Sequence, residues 1–264
     1  MSPSSLVDIH TDQGVRTITF NRPDAYNSLN RELRLALRDA FAEAATDSAA
    51  GGEVRAVVLV ASGKAFCSGQ DLKEQLTEAK QTSGYDKVRE EYNPMMAALL
   101  SIPVPVIAGI QGPAAGAGWG IAMGCDFRVM SSAASLKGAF SGVGLASDCG
   151  LSRSLTDAVG QAKALELLLF DEKIPASDAL ALGIVTSVVE PEELGDTVAA
   201  LAARFAGGPT SSYREIKALV RDAQAVNERA AEEGEAQGRL FQTADHVEAM
   251  QAFLEKRAPQ FRGE

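Results

Sequence analysis

Two runs limit what this chain can fold into. Ala56–Val60 and Val106–Ile110 are continuous apolar stretches of strand length. A strand apolar on both faces has to be covered on both faces, the condition of a parallel strand inside an α/β sheet. Val15–Phe20 reads as a further strand and Phe127–Met130 as a weaker one. Helical patterns lie between them. Arg31–Thr46 sets Leu33, Leu37 and Phe41 on one face, behind Asn30 as N-cap. Tyr85–Ser101 reads as a helix stopped by the prolines of the Ile-Pro-Val-Pro stretch, residues 102–105. Strands separated by helices predict an α/β fold with parallel pairing.

After Leu155 the pattern becomes helical. Ala162–Phe170, Ala176–Leu182, Glu192–Phe205, Ser211–Glu235 and Val247–Arg257 read as helices, and Ile184–Val189 interrupts as strand. The expected division is a core over 1–200 and a helical segment over 201–264. That segment is too small for its own core, so it packs on the first part or on another subunit. The apolar 46% of 264 residues is enough for one large core. A net charge of −10 argues against nucleic-acid and anionic-membrane partners. No apolar run reaches the roughly 18 residues of a membrane span, and the N-terminal stretch lacks a signal-peptide pattern. Cys67, Cys125 and Cys149 cannot all pair and have no metal-ligand spacing, so the expected setting is cytoplasmic and metal-free. His10 and His246 lie near opposite ends, which disfavours a His-based triad.

Three segments could carry chemistry. Gly63 to Leu72 follows the Ala56–Val60 run, and its glycines permit a turn that aims N–H groups at an anion or carbonyl; it also reads as an ordinary loop. Gln111 to Gly120 leads through small residues into a helix whose first N–H groups are unpaired. Donors from both loops could form an oxyanion hole, although tight helix–strand packing explains the second equally well. Gly142 to Gly150 carries Asp148 just before a short helix, where an Asp is commonly an N-cap. Trp119 reads as core or lining. The run Glu232-Glu233-Gly234-Glu235 reads as a solvated helix end.

These segments in this order, with Asn21-Arg22-Pro23, Asn27-Ser28-Leu29-Asn30 and the closing Ala252 to Phe261, resemble the enoyl-CoA hydratase/isomerase (crotonase) superfamily over about residues 6–262. The resemblance implies a spiral of strand–strand–helix units with a helical C-terminal trimerisation segment, assembling as a homotrimer or a dimer of trimers. It implies an acyl-CoA thioester as substrate and no separate cofactor. By position, the backbone N–H groups of Gln70 and Ala117 hold the thioester oxygen. Gln70, Asp71, Leu72 and Lys73 run along the CoA, with Asp71 capping the next helix. Gly116, Trp119 and Phe140 border the acyl group, as does the helix from Tyr85, and Lys256 contacts phosphate.

The family's hydratases use two glutamates, which fall here on Gly120 and Phe140. Neither can move a proton, and no Glu lies between Glu91 and Glu166. Asp148 is left as the acid/base candidate, at the position of the aspartate in the superfamily's dienoyl-CoA isomerases and its phenylacetate ring-opening isomerase. The expected reaction is a double-bond shift. Asp148 removes a proton from the acyl chain and returns it at another carbon of a dienolate held by Gln70 and Ala117. Three alternatives stay open: a one-carboxylate hydratase, an aspartyl nucleophile as in the family's 4-chlorobenzoyl-CoA dehalogenase, and a non-catalytic acyl-CoA binder. Phe140, Trp119 and Leu145 would raise the pKa of Asp148 by desolvation and a helix N-terminus would lower it, a competition the sequence leaves undecided.

Overall fold

A computed structural model describes residues 5–78 and 84–264. Residues 1–4, and 79–83 at the end of the polar stretch before Gly84, lie outside it. The chain opens with β1 (Val7–Asp12) and β2 (Val15–Phe20), paired antiparallel. Gln13 and Gly14, at φ 48° and 79°, make the turn between them, a two-residue connection that matches the strands' twist. β1 has no counterpart in the apolar pattern because it is an edge strand on which only Val7 is buried. Next come α1 (Arg31–Asp47), β3 (Ala56–Ala61), α2 (Leu72–Glu78), α3 (Gly84–Lys87), a π-helical turn (Val88–Tyr92), α4 (Asn93–Leu100) and β4 (Val106–Ile110). They are followed by β5 (Ala114–Ala115), α5 (Ala117–Gly124), β6 (Phe127–Ser131), β7 (Ser135–Lys137), α6 (Leu151–Val159), α7 (Gln161–Phe170), β8 (Ile174–Pro175), α8 (Ala176–Ala181) and β9 (Ser187–Val189). Four helices close the chain: α9 (Leu194–Ala206), α10 (Thr210–Val220), α11 (Ala223–Leu240) and α12 (Ala244–Glu255).

The larger sheet runs β1-β2-β3-β4-β6-β9, parallel from β2 onward, and a small second sheet runs β5-β7-β8. The continuous apolar runs have the cause expected of them. Val57 and Leu59 of β3 face a large core shared with α1, α4 and α5, while Val58, Ile107 and Val129 face Leu194, Val198 and Ala202 of α9. This is the expected α/β architecture, with helices on both faces of the sheet and a helical C-terminal segment.

Three local expectations change. The stretch read as one helix over Ser211–Glu235 is two, α10 and α11, broken at Arg221-Asp222. Arg221 is extended and pairs with Asp126 at 2.6 Å, while the Asp222 side chain accepts from Ala225 N–H and caps α11. The helix expected from Tyr85 contains the π-helical turn, directly before Asn93-Pro94. Pro94 has no N–H to give to the preceding turn, and the wider π spacing absorbs that loss. The strand expected over Ile184–Val189 is reduced to Ser187–Val189.

Three loops of interest leave one edge of the larger sheet. In parallel β2, β3, β4 and β6 the carboxyl ends point the same way, so residues 21–30, 62–71 and 111–116 emerge together. Ligands of open α/β sheets bind at that edge. The C-terminal helices lie against the same region. Asn93 of α4 donates to Ala230 O of α11 at 3.2 Å, and His246 Nδ1 of α12 lies 2.8 Å from Val143 O.

Candidate active site

The first loop is held by the motif that opens the chain. Asn27 is fully buried and its side-chain NH2 donates to Ser62 O and Ala65 O, both at 2.9 Å. Gln111 reaches back from the second loop to Ala61 O at 2.8 Å and Ala65 O at 2.9 Å. Leu29 then bridges to Gln70, its N–H bonded to Gly69 O and its carbonyl to Asp71 N–H. That bridge uses the groups on either side of Gln70. The Gln70 N–H is turned away from Leu29 and donates to no acceptor among the described residues.

The second loop docks on the first. Ala115 N–H donates to Cys67 O at 2.9 Å, and Phe66 N–H to Pro113 O at 3.1 Å. Gly69 is left-handed at φ +86°, and a Cβ there would lie 2.8 Å from Ala115 O and 3.6 Å from Ala117 N. Only glycine allows the approach that brings Gln70 beside the start of α5. Gly116, at φ +54°, is the N-cap, and Ala117 is the first residue of that helix. The Ala117 N–H also has no acceptor among the described residues. The tip of the Phe140 ring faces the junction, 3.8 Å from where a Gly116 Cβ would sit.

The third segment closes on α5. A Cβ on Gly120 would come 2.6 Å from Cys149 Cβ and 3.5 Å from Asp148 O. Cys149 therefore fills the space that a side chain at 120 would need. Cys149 is itself left-handed at φ 58°, followed by Gly150 at φ 69°, a conformation that a non-glycine residue adopts at a cost. A Cβ on Gly150 would strike Val226 of α11 at 2.5 Å. Phe140 is fixed separately. Asp171 accepts from Ala139 N–H, and its carboxylate leaves no room for a Cβ on Gly138.

Asp148 is buried, at 4% exposure, and its Oδ1 has no hydrogen-bond partner. It does not cap α6, so the N-cap reading falls. The cap is made by Glu233 of α11, which accepts from Gly150 N–H at 2.7 Å and from Ser152 N–H and Ser147 Oγ at 2.8 Å each. The run 232–235 is thus no solvated helix end: Glu233 is 5% exposed and the helix continues to Leu240. Gln237, one turn on, donates to Ala146 O at 2.8 Å.

The electrostatics follow from this arrangement. Burial, reinforced by the Glu233 charge, pushes the Asp148 carboxyl up to about 7, against the Cys149 thiol beside it, which acts in the opposite direction. Burial also pushes the Cys67 thiol up to about 12 and raises Cys149 and the Tyr92 phenol, all three near enough for the Asp148 charge to add to the effect. Burial raises Glu233 as well, opposed by its three donors. Tyr92 is fully buried beneath the Arg34 guanidinium, and its hydroxyl has no partner.

Gln70, Asp71, Gly116, Ala117 and Phe140 are brought together around the junction of the loops, and the Asp148 segment packs against Gly120, one turn further along α5. Asp71 is buried and caps α2 through Lys73 N–H at 2.9 Å and Glu74 N–H at 3.2 Å, with Arg22 paired at 2.6 Å. Burial pushes its carboxyl up, but Arg22 and those N–H groups hold it below its ordinary value. Leu72 is half-buried and Lys73 exposed at the start of α2. Trp119 is fully buried inside α5, its indole N–H without a partner. Lys256 is exposed at the C-cap of α12, and no hydrogen bond or ion pair among the described residues joins it to the loops. Glu233 and Gln237 are the residues that sequence reasoning missed. Their signal was spacing: 226, 230, 233 and 237 form one helical face, and the other two positions are Val and Ala. No cluster of metal-ligating side chains occurs among the described residues.

Known proteins resemble this chain over nearly its whole length. The profile of a family described as enoyl-CoA hydratase/isomerase matches residues 10–264. A protein of Rhodobacter capsulatus named as a probable enoyl-CoA hydratase is 38% identical over 253 residues, covering 95% of each chain. The 1,2-epoxyphenylacetyl-CoA isomerase of Escherichia coli is 34% identical over 259 residues, covering 96% of this chain and 97% of that one. The crystal structure of an enoyl-CoA hydratase from Mycobacterium avium subsp. paratuberculosis superposes with a TM-score of 0.85 at 34% identity, over 98% of this chain and 100% of the other.

Proposed function

This chain belongs to the enoyl-CoA hydratase/isomerase family, and on that premise we propose that it shifts a double bond in an enoyl-CoA thioester, with Asp148 as the proton carrier. The observation that carries this reading is the state of Asp148, buried with one oxygen unpartnered and its carboxyl at about 7, beside two loops whose Gln70 and Ala117 N–H groups are unused. The thioester oxygen binds those two donors, and negative charge collects there as the acyl chain loses a proton. A preformed donor of this kind contributes roughly 3 kcal/mol to lowering the barrier. Asp148 takes the proton and delivers it to another carbon of the dienolate, and a carboxyl that titrates near the working pH can do both. Asp71 through Lys73 and Lys256 serve the CoA moiety and Phe140 serves the acyl group, while Trp119, fully buried, belongs to the core rather than to the lining.

Hydration with Asp148 alone would ask one carboxyl group both to activate water and to deliver a proton. Gly120 and Phe140 offer no second carboxyl, and the oxygens of Glu233 are committed to three donors. The test is acyl-CoA turnover in deuterated buffer, followed by mass spectrometry over 2-enoyl, 3-enoyl and aromatic acyl-CoAs. Deuterium gain without added water, lost by about 10²–10⁴-fold in Asp148→Asn, is the expected result. A product heavier by one water would replace the isomerase reading with a hydratase.

A further inference from the structure

The start of α6 presents a cluster of donors with two carboxylates near it. Asp148 lies two residues before Gly150, the N-cap position of α6, and is the nearest carboxylate to it in sequence. Glu233 reaches in from another helix instead and takes Gly150 N–H, Ser152 N–H and Ser147 Oγ. Gln237, on the same face of α11, holds Ala146 O. The segment 146–152 is thus gripped from outside at four points by two side chains one turn apart. Gly150 lies against Val226 of the same helix with no space for a Cβ. Asp148, with its Oδ1 unpartnered, is the group left over.

We propose that Glu233 is a positioning residue of this site: by occupying the α6 N-terminus it keeps the Asp148 carboxyl off the helix cap and directed toward the acyl group. This rests on the reading of Asp148 as the proton carrier. A helix N-terminus favours the anion that sits on it. Were Asp148 seated there, it would be a committed carboxylate with its lone pairs engaged and a low proton affinity. With Glu233 in that seat, the charge is favoured on the carboxylate that has three donors, and the proton on the one whose Oδ1 has none and whose only donor among the described residues is the weak Cys149 thiol. The groups facing Asp148 are Cys149 on its own segment, Cys67 from the loop after β3, Tyr92 from the π-helical turn and Glu233 from α11. Glu233 is the carboxylate among them. The device also explains why the C-terminal segment belongs to the site although it supplies none of the residues assigned there to proton transfer or to the oxyanion hole.

The test compares wild type, Glu233→Gln, Glu233→Asp and Asp148→Asn by the pH profile of deuterium exchange into an enoyl-CoA. Infrared titration of the protein carrying 13C-labelled aspartate provides a readout that needs no turnover. Glu233→Gln removes the charge and frees Gly150 N–H for Asp148. Its acid limb and its Asp carboxyl band are expected to move at least about one pH unit lower, with kcat reduced about tenfold and KM within about twofold. Glu233→Asp keeps the charge but falls a methylene short, so kcat falls while the limb stays near that of wild type. A folded Glu233→Gln with an unmoved limb and an unmoved Asp band overturns the proposal, as does wild-type kcat in Glu233→Asp. If instead Asp148→Asn exchanges as fast as wild type, it is the assignment of Asp148 that fails.

Discussion

A carboxyl group buried with an unpartnered oxygen opposes folding once it ionises, and Asp148 is such a group. Its carboxyl sits at about 7 in the folded protein against an ordinary value of 3.8. Between those pH values the folded state binds more protons than the unfolded one. Stability therefore falls as pH rises through this window, and the loss is complete above about pH 7. At 1.36 kcal/mol per unit the effect reaches about 4 kcal/mol. Asp148→Asn is expected to be more stable than wild type at pH 8, to show little gain at pH 4 and to have lost activity, which denaturation at the two pH values checks. This is the trade of stability for function found at active sites. Gly120 makes the reverse point. Because Cys149 Cβ would be 2.6 Å from any Cβ there, Gly120→Glu cannot restore a glutamate pair. Even Gly120→Ala is expected to cost about 1–3 kcal/mol, read from the urea midpoint, and to displace Asp148.

At the level of elements, the site is a matter of two loops made to touch. The sequence shows the glycines of both loops and the helix start. It does not show that Gly69 is the contact, because the clash a side chain would cause is with Ala115 and Ala117, 46 and 48 positions away. Gly69→Ala introduces a Cβ 2.8 Å from Ala115 O in a left-handed residue. The expected effect is separation of the two oxyanion donors, so that kcat falls more than thioester binding weakens, checked by kinetics against binding of a non-reactive acyl-CoA. Behind the loops, Arg34 of α1 is fully buried, bonded to Glu74 and to Leu29 O, paired with Glu91 and stacked over Tyr92. Arg34 sits on the apolar face marked by Leu33, Leu37 and Phe41, and the helical period gives no reason for it. Removing one member of a buried ion pair strands the others, so Arg34→Ala is expected to cost about 3–5 kcal/mol, measurable by chemical denaturation.

Over the described residues, three helices each expose three large apolar side chains: Leu165, Leu169 and Phe170 on α7, Ile216, Leu219 and Val220 on α10, and Val247, Phe253 and Leu254 on α12. Apolar side chains grouped in this way on exposed helix faces suit an association surface. A homotrimer or a dimer of trimers is the expected assembly, with light scattering giving three or six times the chain mass. Leu219→Asp and Phe170→Asp are expected to lower that mass, and an unchanged monomeric mass for wild type would remove the expectation. No helix among the described residues is long and apolar enough to cross a membrane.

What the sequence determined by itself is what local chemistry determines. Continuous apolar runs required a sheet covered on both sides, helical spacing set the buried face of α1, and Asn30 and Asp71 stood where caps are needed. The glycines marked the two loops, and Gly120 and Phe140 excluded proton transfer at their positions whatever the fold. The tertiary structure alone decided which carboxylate would take the N-terminus of α6. The cap came from Glu233, 83 residues beyond Gly150 in the chain, because the packing of α11 brings a carboxylate to those donors. The proton affinity of Asp148 follows from its burial first and from the charge of Glu233 second. Desolvation and charge depend on which groups end up as neighbours in space, and these neighbours come from segments far apart in sequence.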